Sequence, residues 1–135
     1  MADTFDHIAI AVKDLEKALN FYKDAFGLLP ERVETYEAIK TRIAYIPAGP
    51  VEIHLLSPME VGAGPVGPFI ESNGGGLHHM GLKVDDIEKT VENLRDLNIG
   101  IRGNAIVDVK AGLRVAMTEP AFTLNVPIEL VERKE

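Results

Sequence analysis

Two stretches of this chain decide its fold: DHIAIAVKDLEKALNFYKD at residues 6–24 and HHMGLKVDDIEKTVENLRD at residues 78–96. With His7 laid on His79, an offset of 72 residues, they align without a gap. His7/His79, Val12/Val84, Asp14/Asp86, Glu16/Glu88, Lys17/Lys89 and Asp24/Asp96 are identical pairs. Others match apolar with apolar, such as Ile10 with Leu82, Leu15 with Ile87 and Leu19 with Val91. Each stretch reads as a strand followed by an amphipathic helix. FDHIAIAV at 5–12 is a short apolar run with β-branched residues, the pattern of a buried strand. Asp14 then serves as N-cap. Leu15, Ala18, Leu19, Tyr22 and Phe26 fall at helical spacing, and Gly27 stops the helix, which predicts a helix over 14–26. In the second stretch LHHMGLKV at 77–84 is the strand. Asp85-Asp86 open the helix, and Ile87, Val91, Leu94 and Leu97 are its apolar stripe.

The likeness extends outward. Strand-like segments lie near 30–37, 41–47 and 51–57, the last two joined by the turn Pro47-Ala48-Gly49-Pro50. In the second half they lie near 99–101, 105–109, 112–118 and 126–132. TRIAYIP at 41–47 resembles LRVAMTE at 113–119 at the same offset of 72. VEIHLL at 51–56 resembles VPIELV at 126–131 at an offset of 75, so the second half holds a small insertion. Strand–helix–three strands thus occurs twice. A period near 72 is too long for a solenoid and fits a tandem duplication of one βαβββ module. The expectation is one domain over 1–135, with repeats at 1–57 and 77–135. A Gly/Pro-rich connection at 58–76 joins them, with a short helical turn around Pro68–Ser72.

The 135 residues suit one domain able to bury a core without staples. Acidic residues outnumber basic ones 21 to 14, a formal charge of −7, which disfavours non-specific nucleic-acid binding. The absence of cysteine removes disulfides, thiolate zinc sites, iron–sulfur clusters and cysteine nucleophiles together. Any metal must be held by nitrogen and oxygen ligands. MADTFDHIAIAV lacks the basic start of a signal peptide, and no apolar run reaches the length of a membrane span, so a cytoplasmic location without membrane partners is expected.

The chain has four histidines: His7, His54, His78 and His79. Under the duplication His7 is equivalent to His79, and His54 to Glu129. Residues two apart in a strand share a face, which sets His7 with Phe5, Ala9 and Ala11, His54 with Glu52 and Leu56, and Glu129 with Pro127 and Val131. A lone strand histidine is more often a satisfied side chain than a ligand, and a carboxylate near a C-terminus is more often solvated. Together, His7, His54, His79 and Glu129 occupy repeat-equivalent places. If the modules pair about a pseudo-twofold axis, three imidazoles and one carboxylate meet at one divalent-metal site with room for two more ligands. His78 alternates to the opposite face and reads as structural.

These segments resemble the vicinal-oxygen-chelate (glyoxalase/bleomycin-resistance/dioxygenase) superfamily over nearly the whole chain. The resemblance is strongest to its methylmalonyl-CoA epimerase branch. It rests on DHIAIAVKDLEKALNFYKDAFGL, VEIHLLSP, GPFIESNGGGLHHMGLKVDDIEKTVENL and AGLRVAMTEP leading to PIELVE. The resemblance implies an α+β fold in which tandem βαβββ modules form a half-open barrel of mixed sheet with helices outside. His7, His79 and Glu129 match the family's metal ligands, and His54 stands where the family usually has Gln or Glu. The metal implied is cobalt first, with nickel, manganese or zinc as alternatives. The activity implied interconverts (R)- and (S)-methylmalonyl-CoA through a metal-stabilised enolate, with an acyl-CoA thioester as partner and a homodimer as assembly.

Epimerisation wants two proton carriers on opposite sides of the carbon. Glu129 is expected to be one. The family's second, a Glu, matches Ile43 here, which leaves Glu37 and Glu52 as substitutes, and Leu124-Asn125 replace a frequent Gly-Gly pair. Competing readings are a glyoxalase I-like lactoylglutathione lyase, an iron dioxygenase, and a metal-free small-molecule binding protein of the same fold. No phosphate loop or dinucleotide fingerprint is present.

Overall fold

The computed structural model describes residues 2–134, and they divide into two compact units. The first holds residues 7–78, and the second holds residues 79–134 with residues 2–6. Strand β1 (Ala2–Ala11) therefore contributes to both. The first unit continues with α1 (Leu15–Phe26), β2 (Arg32–Tyr36), β3 (Thr41–Ala48), β4 (Val51–Pro58) and α2 (Gly67–Asn73). Strand β5 (Gly76–Val84) leads into the second, followed by α3 (Ile87–Asp96), β6 (Val107–Lys110), β7 (Leu113–Met117) and β8 (Ile128–Arg133).

Both long helices start for the reason the sequence suggests. The Asp14 carboxylate accepts from Lys17 N at 3.1 Å, and the Asp86 carboxylate accepts from Lys89 N at the same distance. Each satisfies one of the amide groups that a helix start leaves without a backbone partner. Gly27 ends α1 with φ of +69°, a left-handed turn that costs glycine nothing.

In the first unit the strand order is β2-β3-β4-β1, with β1·β4 parallel and the other pairs antiparallel. In the second it is β5-β8-β7-β6, with β5·β8 parallel. The sheet is thus mixed and the class α+β, as expected. The two registers correspond residue for residue. Ala9 pairs with His54 and Gly81 with Glu129, while Tyr45 pairs with His54 and Met117 with Glu129. The offsets of 72 and 75 read from sequence reproduce every one of these pairs.

The outer hairpins break the correspondence. Glu34 pairs with Ile43, whereas Val107 pairs with Val115, one residue out of step, and the ladder slips between Asp108 and Lys110. The strand expected near 99–101 is reduced to a single bridge, Ile101 to Thr118, because a 3-10 turn at Arg102–Asn104 follows at once.

Each unit buries one sheet face under its long helix. Leu15 of α1 packs with Ala44, Ile46 and Leu55 in the first, and Ile87 and Val91 of α3 pack with Val84, Ala116 and Leu130 in the second. Burying each such side chain contributes roughly 1.5–3 kcal/mol. The connection at 58–76 is ordered by α2, which is longer than the expected helical turn. Val66 and Ile70 pack on Ala9, Ala11 and Leu56. Gly64 makes this fit possible: at φ +66° a Cβ there would stand 2.2 Å from the Ile39 carbonyl oxygen.

In the second unit the buried Glu132 of β8 ties the sheet to α3. Its carboxylate accepts from the Ile87 amide at 2.9 Å and from Arg114 at 3.0 and 2.9 Å. Burial pushes the carboxyl up, but the Ile87 amide and the Arg114 guanidinium outweigh it and hold it below the ordinary range. Glu132→Gln is therefore expected to destabilise the protein by about 2 kcal/mol at neutral pH. A depressed carboxyl contributes stability above its unfolded value, about 4.3, and loses it as pH falls through the folded one. Denaturant melts of both proteins should accordingly differ at pH 7 and converge as pH falls through the folded value; a difference independent of pH counts against this role.

Candidate active site

On each strand of the first unit the face turned away from α1 carries the polar side chains. The register sets them in rows across the sheet. Arg32, Tyr45, His54 and Ala9 form one row, and Glu34, Ile43, Leu56 and Ala11 the next. Glu52 lies beside His7 in the row on the other side. The second row is apolar at its centre, because α2 covers Ala9, Ala11 and Leu56, with Ile43 and Phe69 packed against them.

His7 and His54 are both buried, and their rings stack with centroids 3.9 Å apart and planes 12° from parallel. His54 Nε2 lies 2.9 Å from Glu52 Oε1, within hydrogen-bond distance. The Tyr45 ring meets His54 edge-on at 4.6 Å. Ala9, beside His54 in its row and next to His7 on the same face of β1, is small, which leaves the imidazoles room to lie over the sheet.

In the second unit, His79 of β5 is buried and Glu129 of β8 is half-buried. His79 Nε2 and Glu129 Oε1 stand 3.9 Å apart. That is too long for a direct hydrogen bond. It suits two donor atoms sharing one ion, since zinc-like ions sit about 2.0–2.2 Å from each nitrogen or carboxylate ligand. Gly81, paired with Glu129, has no side chain to crowd the carboxylate. The structure thus brings His7 to His54 and His79 to Glu129, the repeat-equivalent pairs. His78 is half-buried and packs edge-on against Phe69 of α2, at 4.9 Å.

The two substitutes for the second proton carrier fare differently. Glu37 is exposed in a 3-10 turn at Glu37–Ile39, away from any strand face. Glu52 is half-buried and engaged with His54. A third group escaped the sequence reading. The Tyr36 hydroxyl donates a hydrogen bond to Glu34 and lies 2.6 Å from the Tyr45 hydroxyl. Arg32 Nε reaches Glu34 at 3.2 Å, and its guanidinium carbon stands 3.9 Å over the Tyr45 ring. The signal that could have found Glu34 is the hairpin itself. The 3-10 turn and the left-handed Lys40, at φ +50°, close β2 onto β3 and place Glu34 opposite Ile43.

This cluster perturbs its members. Burial pushes the Tyr36 phenol well above the ordinary tyrosine range, and its bonds to Glu34 and Tyr45 push the same way. Burial would lower Arg32, but the Glu34 carboxylate beside it outweighs this and raises it.

A family model described as the glyoxalase/bleomycin resistance protein/dioxygenase superfamily matches residues 6–117. The uncharacterized protein YqjC of Bacillus subtilis is 32% identical over 129 residues, covering 96% of this chain and 91% of that one. The mitochondrial methylmalonyl-CoA epimerase of Mus musculus is 33% identical over 95 residues. That match covers 70% of this chain but only about half, 53%, of the mouse protein. Among solved structures, a variant of Streptomyces coelicolor methylmalonyl-CoA epimerase in complex with 2-nitronate-propionyl-CoA superposes with a TM-score of 0.91. It is 25% identical, and the superposition covers 100% of both chains.

The Tyr36 environment can be checked by spectrophotometric titration. The chain has three tyrosines. Tyr36 is expected to stay protonated through the range around pH 10 where an ordinary tyrosine ionises. Tyr36→Phe removes this late step and assigns it, and Glu34→Gln moves it down. A wild-type curve with every tyrosine ionising near pH 10 would contradict the cluster.

Proposed function

We propose a specific place for this chain within the glyoxalase/bleomycin resistance protein/dioxygenase superfamily, to which it belongs: a metal-dependent epimerase of methylmalonyl-CoA. The observation that supports it best is the donor chemistry. His7, His79 and Glu129 offer two imidazole nitrogens and one carboxylate oxygen as ligands for one divalent ion. Nitrogen and oxygen donors of this kind suit cobalt, nickel, manganese or zinc. The 3.9 Å between His79 and Glu129 fits such a group. His54 is the fourth donor, and to ligate through Nε2 it must exchange its bond to Glu52. Likeness to the mouse epimerase and to an epimerase structure holding an acyl-CoA supports the substrate class.

The chemistry follows from the residues. The hydrogen of a methylmalonyl thioester sits on a carbon between two carbonyl groups. A divalent ion, when bound, supplies Lewis-acid charge to those carbonyl oxygens and so lowers the cost of removing that hydrogen. Glu129 is the proton carrier on one side. Buried His7 and His79 exclude water and hold the donor positions. Small Ala9 and Gly81 keep the neighbouring strands from filling the space above them.

Two measurements test this reading. Cobalt or nickel at about 100 times its Kd should stabilise the metal-stripped protein by about 2.7 kcal/mol. His7→Ala, His79→Ala and Glu129→Ala should each weaken metal binding by roughly 100-fold or more. Wild-type protein incubated in heavy water with (S)-methylmalonyl-CoA should yield the (R)-epimer labelled at the α-carbon. Full metal binding and turnover in Glu129→Ala would refute the mechanism. Isomerisation of a glutathione hemithioacetal, with no action on the thioester, would move the chain to the lyases.

A further inference from the structure

Inversion at carbon needs a proton taken from one side and returned to the other, so one carrier does not suffice. The strand carboxylates on the polar face of the first unit are Glu34 and Glu52. Glu52 stands among the metal donors themselves, 2.9 Å from His54 Nε2 and paired with His7 in the register. Glu34 is placed otherwise. It lies directly across the strand pair from Ile43, on the same face, and Tyr45 lies two residues further along β3. Tyr36 and Tyr45 hydroxyls meet at 2.6 Å, diagonally across the row that holds Glu34 and Ile43. Tyr36 donates to the Glu34 carboxylate, and Arg32 grips its other oxygen at 3.2 Å. The carboxylate is therefore half-buried, held by Tyr36 and Arg32, and set at the edge strand beside Ile43, the apolar residue that the same row places one strand inward.

We infer that Glu34 is the second proton carrier of this site, supplied from β2 to the place where β3 presents Ile43. The inference rests on the epimerase reading above. In the forward step the α C–H bond breaks and an O–H bond forms on the Glu34 carboxylate. The electron pair left on carbon delocalises into the substrate's own carbonyl groups. The Glu129 carboxyl then breaks its own O–H bond and delivers that proton to the opposite face of the carbon, forming the new C–H bond; in the opposite direction the two carboxyls exchange roles. Tyr36 is a positioning residue: its hydroxyl holds the carboxylate toward Tyr45. Ile43, packed with Ala9, Ala11 and Leu56 under α2, keeps the floor beneath the carboxylate dry.

The test compares wild type, Glu34→Gln and the double variant Glu34→Gln with Ile43→Glu in heavy water, starting from each pure epimer of methylmalonyl-CoA. Cobalt binding is measured in parallel. Glu34→Gln is expected to invert at least ~100-fold more slowly. It should bind cobalt as wild type does and still exchange the α-hydrogen of one epimer for deuterium without inverting it. The double variant, with a carboxylate restored one strand inward, should regain at least about tenfold of the lost inversion rate, a fraction of the general-acid–base contribution. Should Glu34→Gln not fold, Glu34→Asp, which withdraws the carboxylate by one methylene, takes its place in the comparison. Inversion at the wild-type rate overturns the inference. So does an equal fall in exchange and inversion with cobalt binding intact, which is the mark of a structural role. A wild type that neither exchanges nor inverts overturns the epimerase reading and this inference together.

Discussion

The parallel pairing of each unit's first strand with its last is the constraint on which the rest depends. A parallel pair cannot be closed by a tight turn, so a helix and a hairpin must fill the crossover. That requirement accounts for α1, β2 and β3 between β1 and β4, and for α3, β6 and β7 between β5 and β8. It also sets where the polar side chains stand. With Ala9 against His54 and Gly81 against Glu129, each of these two side chains rises beside a residue too small to cover it. A slip of one residue would turn every one of these side chains to the helix-covered face. The same alternation puts Leu55 and Leu130 in the cores.

The units share this plan but anchor their helices differently. In the second, the Glu132 carboxylate reaches the first amide of α3. At the equivalent place in the first, Ser57 donates through Oγ to the Lys13 carbonyl at 3.2 Å, just ahead of α1. A neutral bond and an ionic one do the same work of tying the last strand to the start of the helix. Shared register with diverged side chains is the support for reading the chain as one module duplicated in tandem.

Much of this was legible in the sequence because a pattern that recurs at matched registers doubles the signal. One strand histidine means little, whereas His7 with His79 and His54 with Glu129 share a spacing that only matched registers produce. Helix limits were legible because Asp14 and Asp86 cap in the same way and Gly27 has one available use. What stayed hidden depended on contacts between segments with no periodicity of their own. Glu34 sits in RVETY, whose alternation names a face but not a partner; only the turn at 37–40 decides that Glu34 meets Ile43. The connection at 58–76 reads as a loop around one short helical turn because glycine and proline obscure helix periodicity, yet Val66 and Ile70 hold it down. Ile101 has the residue type of a strand, but its neighbours turn away after one bridge.

The slipped ladder between Asp108 and Lys110 bears on how the molecule behaves in a crowd. Strand β6 ends the strand order, all four of its residues are exposed, and Val107 and Val109 are among them. A straight apolar strand in that position would template the addition of a stranger's backbone. The irregularity interrupts the run of evenly spaced amide and carbonyl groups, and Asp108 and Lys110 put a charge at alternate steps. The second outer hairpin has thereby given up the regular geometry that the first uses to hold its carboxylate. An irregular, charged edge of this kind is a poor template for another chain's backbone.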